Sequence, residues 1–153
     1  MSDDATRALR DELARAVPER LILADIEDLR PYECDGLTAY RTVPRLVVLP
    51  ETAEQAAHVL ATCHERGVPV VARGAGTGLS GGAMPHADGV VLSLAKFNRI
   101  LGIDPQNRTA RVQPGVRNVA ISQAAAPLGL YYAPDPSSQI ACTIGGNVAE
   151  NAG

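Results

Sequence analysis

The chain has 153 residues, of which 46% are hydrophobic, and a formal net charge of -3. This length corresponds to one ordinary domain that can bury a core of its own. The negative charge, together with one Phe, four Tyr and no Trp, argues against a nucleic-acid-binding surface, which needs basic side chains and stacking rings. Since no apolar run approaches the roughly 20 residues of a membrane span, no transmembrane segment is predicted.

Residues 1–43 predict a helix followed by an irregular arm. Leu9, Leu13 and Val17 recur at helical spacing, which indicates a short amphipathic surface helix. The acidic N-terminus lacks the apolar stretch of a targeting peptide. Residues 28–44 contain turn formers without a strong period, so they are interpreted as irregular.

The three cysteines, Cys34, Cys63 and Cys142, are far apart and form no CxxC pair. This pattern favours free thiols in a reducing cytoplasm over a disulfide framework or a zinc site. No pairing of His, Asp or Glu has the spacing of a general base or a metal site. We therefore predict neither a catalytic residue nor a metal ligand.

A strand, a helix and a second strand are predicted between residues 46 and 72. Residues 46–49 are β-rich and precede a proline, and residues 68–72 form the second strand. The helical crossover predicts that the two strands are parallel neighbours. The residues after position 72 would then lie at the C-terminal end of a parallel strand, where ligands bind in open α/β sheets.

The intervening helix is predicted from residue 53 to residue 66. Thr52 and Gln55 have the spacing of a capping box, and Gly67 follows the last turn. The apolar positions are expected to share one buried face: Ala56, Val59, Leu60 and Cys63.

The second half of the chain predicts four further elements. Residues 89–94 form a strand, and residues 100–103 and 109–113 form a hairpin around turn-forming residues. A helix is predicted over 116–126, and residues 130–133 are expected to be extended.

The segment 74–82 carries five glycines in nine residues. Gly76 to Gly81 fits the dinucleotide pattern GxGxxG, but that motif requires a helix to begin at its glycines. Further glycines and a proline follow before residue 90, so no useful helix is predicted here. A P-loop is excluded because no Lys-Ser or Lys-Thr pair follows.

Two interpretations of this glycine loop remain open. Its main-chain N–H groups can surround a phosphate as a nest, with hydroxyl donors from Thr77 and Ser80 and a positive charge from Arg73. It can also be only a glycine-rich turn between two strands. A second loop, residues 134–153, favours the first interpretation, since paired glycines stand at the start of a helix predicted from about 146. Two donor-rich loops suit a long ligand with a diphosphate and a polar ring.

The stretches PVVARGAGTGLSGGA and PDPSSQIACTIGGNVAENAG resemble the flavin-binding domain of the vanillyl-alcohol oxidase/PCMH superfamily. Within it, the chain is similar to the family of the glycolate oxidase FAD-linked subunit and D-lactate dehydrogenase. The resemblance implies an α+β (α/β) fold in which an N-terminal βαβ subdomain precedes the start of a second mixed sheet. It also implies that residues 44–153 are the incomplete FAD-binding domain after the arm of residues 1–43.

The resemblance implies the residues that contact FAD. Those expected to wrap the diphosphate are Arg73, Gly74, Ala75, Gly76, Thr77, Gly78, Leu79, Ser80 and Gly81. Those expected to line the flavin side are Pro134, Asp135, Ser137 and Ser138. Those expected to pass the isoalloxazine and the pyrophosphate are Cys142, Thr143, Gly145, Gly146, Asn147, Asn151 and Gly153. Some superfamily members bind flavin covalently through a histidine of the glycine loop, but Thr77 stands at that position here, so non-covalent FAD is predicted.

The family oxidises a 2-hydroxy acid such as glycolate or D-lactate to a 2-oxo acid, with hydride passing to flavin N5. It implies a substrate-binding cap beyond residue 153, so this chain alone is expected to bind FAD weakly and to be inactive. The implied partners are a second FAD-domain subunit and an iron–sulfur subunit. The implied location is the cytoplasm, or the inner membrane periphery through those partners.

Two alternatives to this function remain. One is a non-catalytic docking module of the oxidase complex. The other is a different enzyme of the same superfamily, such as a flavin reductase for cell-wall precursors, although YECDGLTAYR and PDPSSQIACTIGGN look unlike that group.

Overall fold

The computed structural model describes residues 3–152. The helices in this range are α1 (Asp3–Leu13), α2 (Ile26–Leu29), α3 (Ala53–Glu65), α4 (Asn118–Ala125) and α5 (Ile144–Glu150). The strands are β1 (Ile22–Leu23), β2 (Leu46–Val48), β3 (Val70–Arg73), β4 (Val90–Ser93), β5 (Ile100–Asp104) and β6 (Thr109–Val112). Gly153, one of the residues predicted to contact the cofactor, lies outside the described residues.

The main sheet is mixed and has the strand order β1-β2-β4-β3. Strands β2 and β3 are both parallel to β4, and β1 pairs antiparallel with β2. The prediction that β2 and β3 are parallel is confirmed. The prediction that they are neighbours is wrong, because β4 lies between them. All four residues of β4 are buried, whereas β3 is partly exposed, which agrees with β4 lying inside the sheet and β3 at its edge.

Helices α1 and α3 cover one face of this sheet. Their apolar residues form one core with those of the strands: Leu9, Leu13, Val17, Val59, Cys63, Leu46, Val48, Val90 and Leu92. A smaller cluster of Leu29, Val47 and Val91 lies on the opposite face. The predicted amphipathic helix is confirmed over Asp3–Leu13, whereas Val17 lies beyond its end, and both pack into the same core as the residues after position 43.

Helix α3 begins where the sequence predicts. Thr52 Oγ1 accepts a hydrogen bond from Gln55 N at 3.3 Å, and Gly67 adopts a φ of +61° after the last turn. The Gln55 side chain accepts from Glu51 N rather than from Thr52, so the capping box is only half formed. The predicted burial of Leu60 is wrong, since this residue is 49% exposed and Thr62 is buried with Val59 and Cys63.

Strands β5 and β6 form the predicted hairpin as a separate two-stranded sheet. Asp104 Oδ1 accepts from the N–H groups of Gln106 and Asn107 and so fixes the turn. Helix α4 is prolonged by a 3-10 turn, and Gly129 then adopts a φ of +71°. Within the described range, residues 130–133 belong to no strand, and α5 begins at Ile144 rather than at 146.

Candidate functional site

The glycine loop leaves the C-terminal end of β3 at the edge of the sheet. Residues 74–89 contain no helix in the described chain, as the sequence predicts. The main-chain N–H groups of residues 74–80 donate to no acceptor among residues 3–152, whereas Gly81 N donates to Asp35 Oδ2 at 2.9 Å. Seven successive main-chain donors are therefore free to bind an anion such as a phosphate.

Arg73, predicted to contribute positive charge to this loop, is instead buried and engaged with protein carbonyls. Its Nη1 donates to Cys34 O at 2.7 Å and to Ala83 O at 3.3 Å, and the guanidinium lies 5.6 Å from the centre of the Tyr32 ring. Burial lowers the pKa of Arg73. The side chain therefore joins the N-terminal arm to the end of the loop through these carbonyls.

The position of the Arg73 side chain against the loop requires a glycine at position 76. Its φ is +71°, and a Cβ at this position would lie 2.3 Å from Arg73 Nη2. The arm approaches the loop equally closely at Gly36, where a Cβ would lie 2.7 Å from Thr77 O. The Asp35-Gly36 pair is typical of a turn, but its contact with a loop more than 40 positions later leaves no local signal in the sequence.

The second loop meets the first at Thr143. A Cβ on Gly74 would lie 2.4 Å from Thr143 Oγ1, so only a glycine allows this approach. Thr143 is 6% exposed, and its Oγ1 is buried without a hydrogen-bond partner in the described chain. A buried hydroxyl without a partner is costly, so Thr143 Oγ1 is a candidate donor to a bound ligand.

A cleft of about 470 Å³ opens where the two loops meet. Its lining comes from both loops, from the hairpin start and from the beginning of α4: Gly74, Ala75, Ala95, Asn98, Ile100, Gly115, Val116, Arg117, Ala120 and Thr143. The Arg117 side chain is exposed and makes no hydrogen bond or ion pair with another residue of the range 3–152. Arg117 thus places a free positive charge at this cleft, which sequence reasoning missed.

Asn147 has its side chain turned into the protein. Its Nδ2 donates to Asn118 Oδ1 at 2.8 Å, and Asn118 Nδ2 donates to Pro134 O at 3.1 Å. Both asparagines are buried. This pair joins α4, α5 and the start of the second loop, so Asn147 acts here as a support, and Asn118 is a member of the site that the sequence did not reveal.

The start of the second loop is a compact turn. Ser138 O accepts from Ala141 N and Cys142 N, both at 2.8 Å, and Asp135 accepts from Gln139 Nε2. Ser137 is exposed, while Cys142 is buried beside the cleft residue Thr143.

The predicted residues at the end of the second loop belong to α5. Gly145 N donates to Pro114 O at 2.9 Å, and Gly146 follows inside the helix. Asn151 ends the helix with a φ of +52°.

Glu150 brings a negative charge onto the glycine loop. Ser80 Oγ donates to Glu150 Oε2 at 2.5 Å, and a Cβ on Gly82 would lie 2.3 Å from Oε1. The predicted hydroxyl donor Ser80 is therefore bonded within the protein, while the neighbouring Leu79 is 67% exposed.

The profile of the FAD binding domain family matches residues 44–153. The chain belongs to this family. It is 67% identical over 141 residues to glycolate oxidase subunit GlcD of Escherichia coli (strain K12), covering 92% of this chain and 28% of that protein. It is 43% identical over 122 residues to the Bacillus subtilis (strain 168) subunit, covering 80% and 26%, and 38% identical over 149 residues to D-lactate dehydrogenase of Anaerostipes hadrus, covering 97% and 31%. The resemblance found in the two loops is confirmed.

Solved structures confirm the fold class. A crystal structure of p-cresol methylhydroxylase with bound substrate superposes with a TM-score of 0.84 at 20% identity, over 99% of this chain and 30% of that one. Alkyldihydroxyacetonephosphate synthase gives 0.83 at 21% identity, over 94% and 29%. The chain thus spans less than a third of the length of each protein named here.

The site fits FAD, the cofactor of this family. FAD has an anionic diphosphate, and the loop offers the free N–H groups of residues 74–80. FAD also has polar ring and ribitol atoms, and Thr143 offers a buried hydroxyl without a partner. The donors on both loops therefore match the chemistry of the cofactor.

Proposed function

We propose that this chain is the FAD-binding part of a flavin-dependent dehydrogenase or oxidase that acts on a 2-hydroxy acid, either glycolate or D-lactate. The identity of 67% with a glycolate oxidase subunit carries the substrate class. The free N–H groups of residues 74–80 support the cofactor part of the proposal.

The bound FAD supplies a flavin that accepts hydride from the carbon bearing the hydroxyl group. The chain's own residues bind and orient it. The main-chain amides of the glycine loop hold the diphosphate, Arg117 balances its charge, and the Thr143 hydroxyl donates to a polar atom of the cofactor. Arg73 and Asn147 act indirectly by holding the two loops in place, and the remaining residues of both loops form the walls.

FAD is held without a covalent bond in this proposal. The glycine loop contains no histidine between residues 74 and 82, and Thr77 cannot form a histidyl–flavin bond. Acid precipitation of the protein loaded with FAD should therefore leave all of the flavin in the supernatant.

The substrate carboxylate and the reacting proton are bound, in this proposal, by residues outside these 153, so the chain alone is inactive and holds FAD weakly. The parent complex contains a second FAD-domain subunit and an iron–sulfur subunit on the cytoplasmic side of the inner membrane. No helix within residues 3–152 is long and apolar enough to cross a membrane.

The test is a chimera in which this chain replaces the matching segment of the Escherichia coli subunit. The chimera is produced with the other subunits of that complex, and dye reduction is measured with glycolate and with D-lactate. We expect bound FAD and turnover with one of the acids. A chimera that holds stoichiometric FAD and assembles but reduces no dye with either acid contradicts the proposed function and leaves the docking module. The unaltered complex is the control.

A further inference from the structure

We propose that the arm segment of residues 31–37 is part of the FAD site, and that Asp35 is a positioning residue that sets the conformation of the glycine loop. This segment lies before residues 44–153, which the family profile matches. The inference rests on the proposed binding of the FAD diphosphate by the loop, and it adds residues to that site that lie outside the range matched by the family profile.

Asp35 uses one carboxylate oxygen to fix the arm and the other to join the arm to the loop. Oδ1 accepts from Leu37 N at 2.9 Å, and Oδ2 accepts from Gly81 N at 2.9 Å. Asp35 is 5% exposed, so these bonds are largely shielded from water. Among the nine N–H groups from Gly74 to Gly82, only that of Gly81 has an acceptor in the described chain.

Gly36 determines which way the loop amides point. Its N–H donates to Gly78 O at 2.9 Å, and the carbonyl oxygen of Thr77 also faces it. In a planar trans peptide the N–H points opposite to the C=O. Because the Thr77 and Gly78 carbonyls face the arm, the N–H groups of Gly78 and Leu79 point away from the arm.

Arg73 fixes the arm in this position. Its guanidinium donates to the carbonyls of Pro31 and Cys34 in the arm and to that of Ala83 at the far end of the loop. The arm and both ends of the loop thus share one buried cation. The orientation of the Gly78 and Leu79 amides is therefore imposed by a segment that is distant in the chain.

The test is Asp35→Asn, which keeps the size of the side chain but replaces one acceptor oxygen with a donor. The matched control is Asp104→Asn, since Asp104 also accepts from two main-chain N–H groups, in the β5–β6 turn. We measure the ¹H–¹⁵N spectrum of each free chain and the dissociation constant for FAD by flavin fluorescence.

We expect Asp35→Asn to shift the resonances of residues 74–80 and to weaken FAD binding about tenfold, as for loss of one charge-assisted hydrogen bond. Asp104→Asn should shift only the resonances of the hairpin and leave FAD binding unchanged.

Unchanged loop resonances in Asp35→Asn would overturn the inference, whether or not FAD binds. If the unaltered chain shows no FAD-dependent change, the loop resonances alone decide the inference, and the proposed function is decided separately by the chimera. If Asp35→Asn does not fold, Gly36→Ala is scored by the same two measurements, because its methyl group displaces the Thr77 carbonyl without changing charge.

Discussion

The Thr143 hydroxyl lies against Gly74, so close that a Cβ on Gly74 would be 2.4 Å from Oγ1. This contact brings the two loops together at the cleft. It also leaves a buried hydroxyl without a partner in the described chain. The two observations share one explanation, in which the hydroxyl faces a cofactor that lies across both loops.

Thr143→Val removes this hydroxyl at nearly constant volume. We expect FAD affinity to fall roughly fivefold to twentyfold, as for loss of one hydrogen bond. The free energy of unfolding without FAD should stay the same or rise by up to about 1 kcal/mol, because the variant no longer buries an unpaired polar group. Fluorescence titration and urea unfolding measure the two effects. Thr62→Val, at a buried threonine of α3, is the control, and loss of stability with unchanged FAD affinity at Thr143 contradicts the assignment.

Glu150→Gln removes the negative charge that lies against Ser80. We expect FAD to bind about twofold to fivefold more tightly, because the diphosphate no longer meets a like charge on the loop. The gain should shrink as salt is raised from 50 to about 300 mM, since this carboxylate is exposed. The same measurement on Glu65→Gln, an exposed glutamate of α3, controls for net charge. Weaker FAD binding in Glu150→Gln would show instead that this carboxylate supports the site.

Asn118→Ala should destabilise the chain by about 3 kcal/mol, because it leaves the Pro134 carbonyl and the Asn147 amide without partners in a buried position. Asn147→Ala alone should cost less. The double variant should be little worse than Asn118→Ala, since the two side chains share a hydrogen bond. Urea unfolding of the four proteins measures the coupling, and strictly additive losses would contradict the paired arrangement.

The hairpin should respond to acid through Asp104. Hydrogen bonds from the Asn107 main chain and side chain, with a smaller one from Gln106, lower the pKa of Asp104 below its ordinary value of 3.8. A lowered pKa in the folded state means that this contribution to stability is present above the ordinary value and is lost as the pH falls through the lower one. The melting temperature of Asp104→Asn should therefore approach that of the unaltered chain between pH 4 and about 2. A constant difference across this range would contradict the role of the carboxylate.

Local signals predicted the elements that depend on neighbours in sequence. The Thr52 cap, the Gly67 stop and the hairpin around Asp104 all lie within a few residues of the groups they bond, so their spacing is visible in the chain. The insertion of β4 between β2 and β3 depends on which strand buries both faces, and no local pattern settles that competition.

The positions of several side chains at the site depend on contacts between residues that are far apart in the chain. The glycines of both loops were evident, and so was their suitability for a diphosphate. The direction of the Arg73 side chain was not, because its acceptors are carbonyls of the arm about 40 positions earlier. Glu150 and Arg117 went unnoticed for the same reason, since only the folded chain brings them to the glycine loop and the cleft.

The central claim is that the free amides of residues 74–80 bind the diphosphate of FAD. The most direct measurement is to titrate the ¹⁵N-labelled chain with FAD and, separately, with riboflavin, which has the same ring but no phosphate. We predict that FAD shifts the amide resonances of residues 74–80 and binds at least about tenfold more tightly than riboflavin. Equal affinities, with the glycine-loop resonances unmoved by FAD, would contradict the claim.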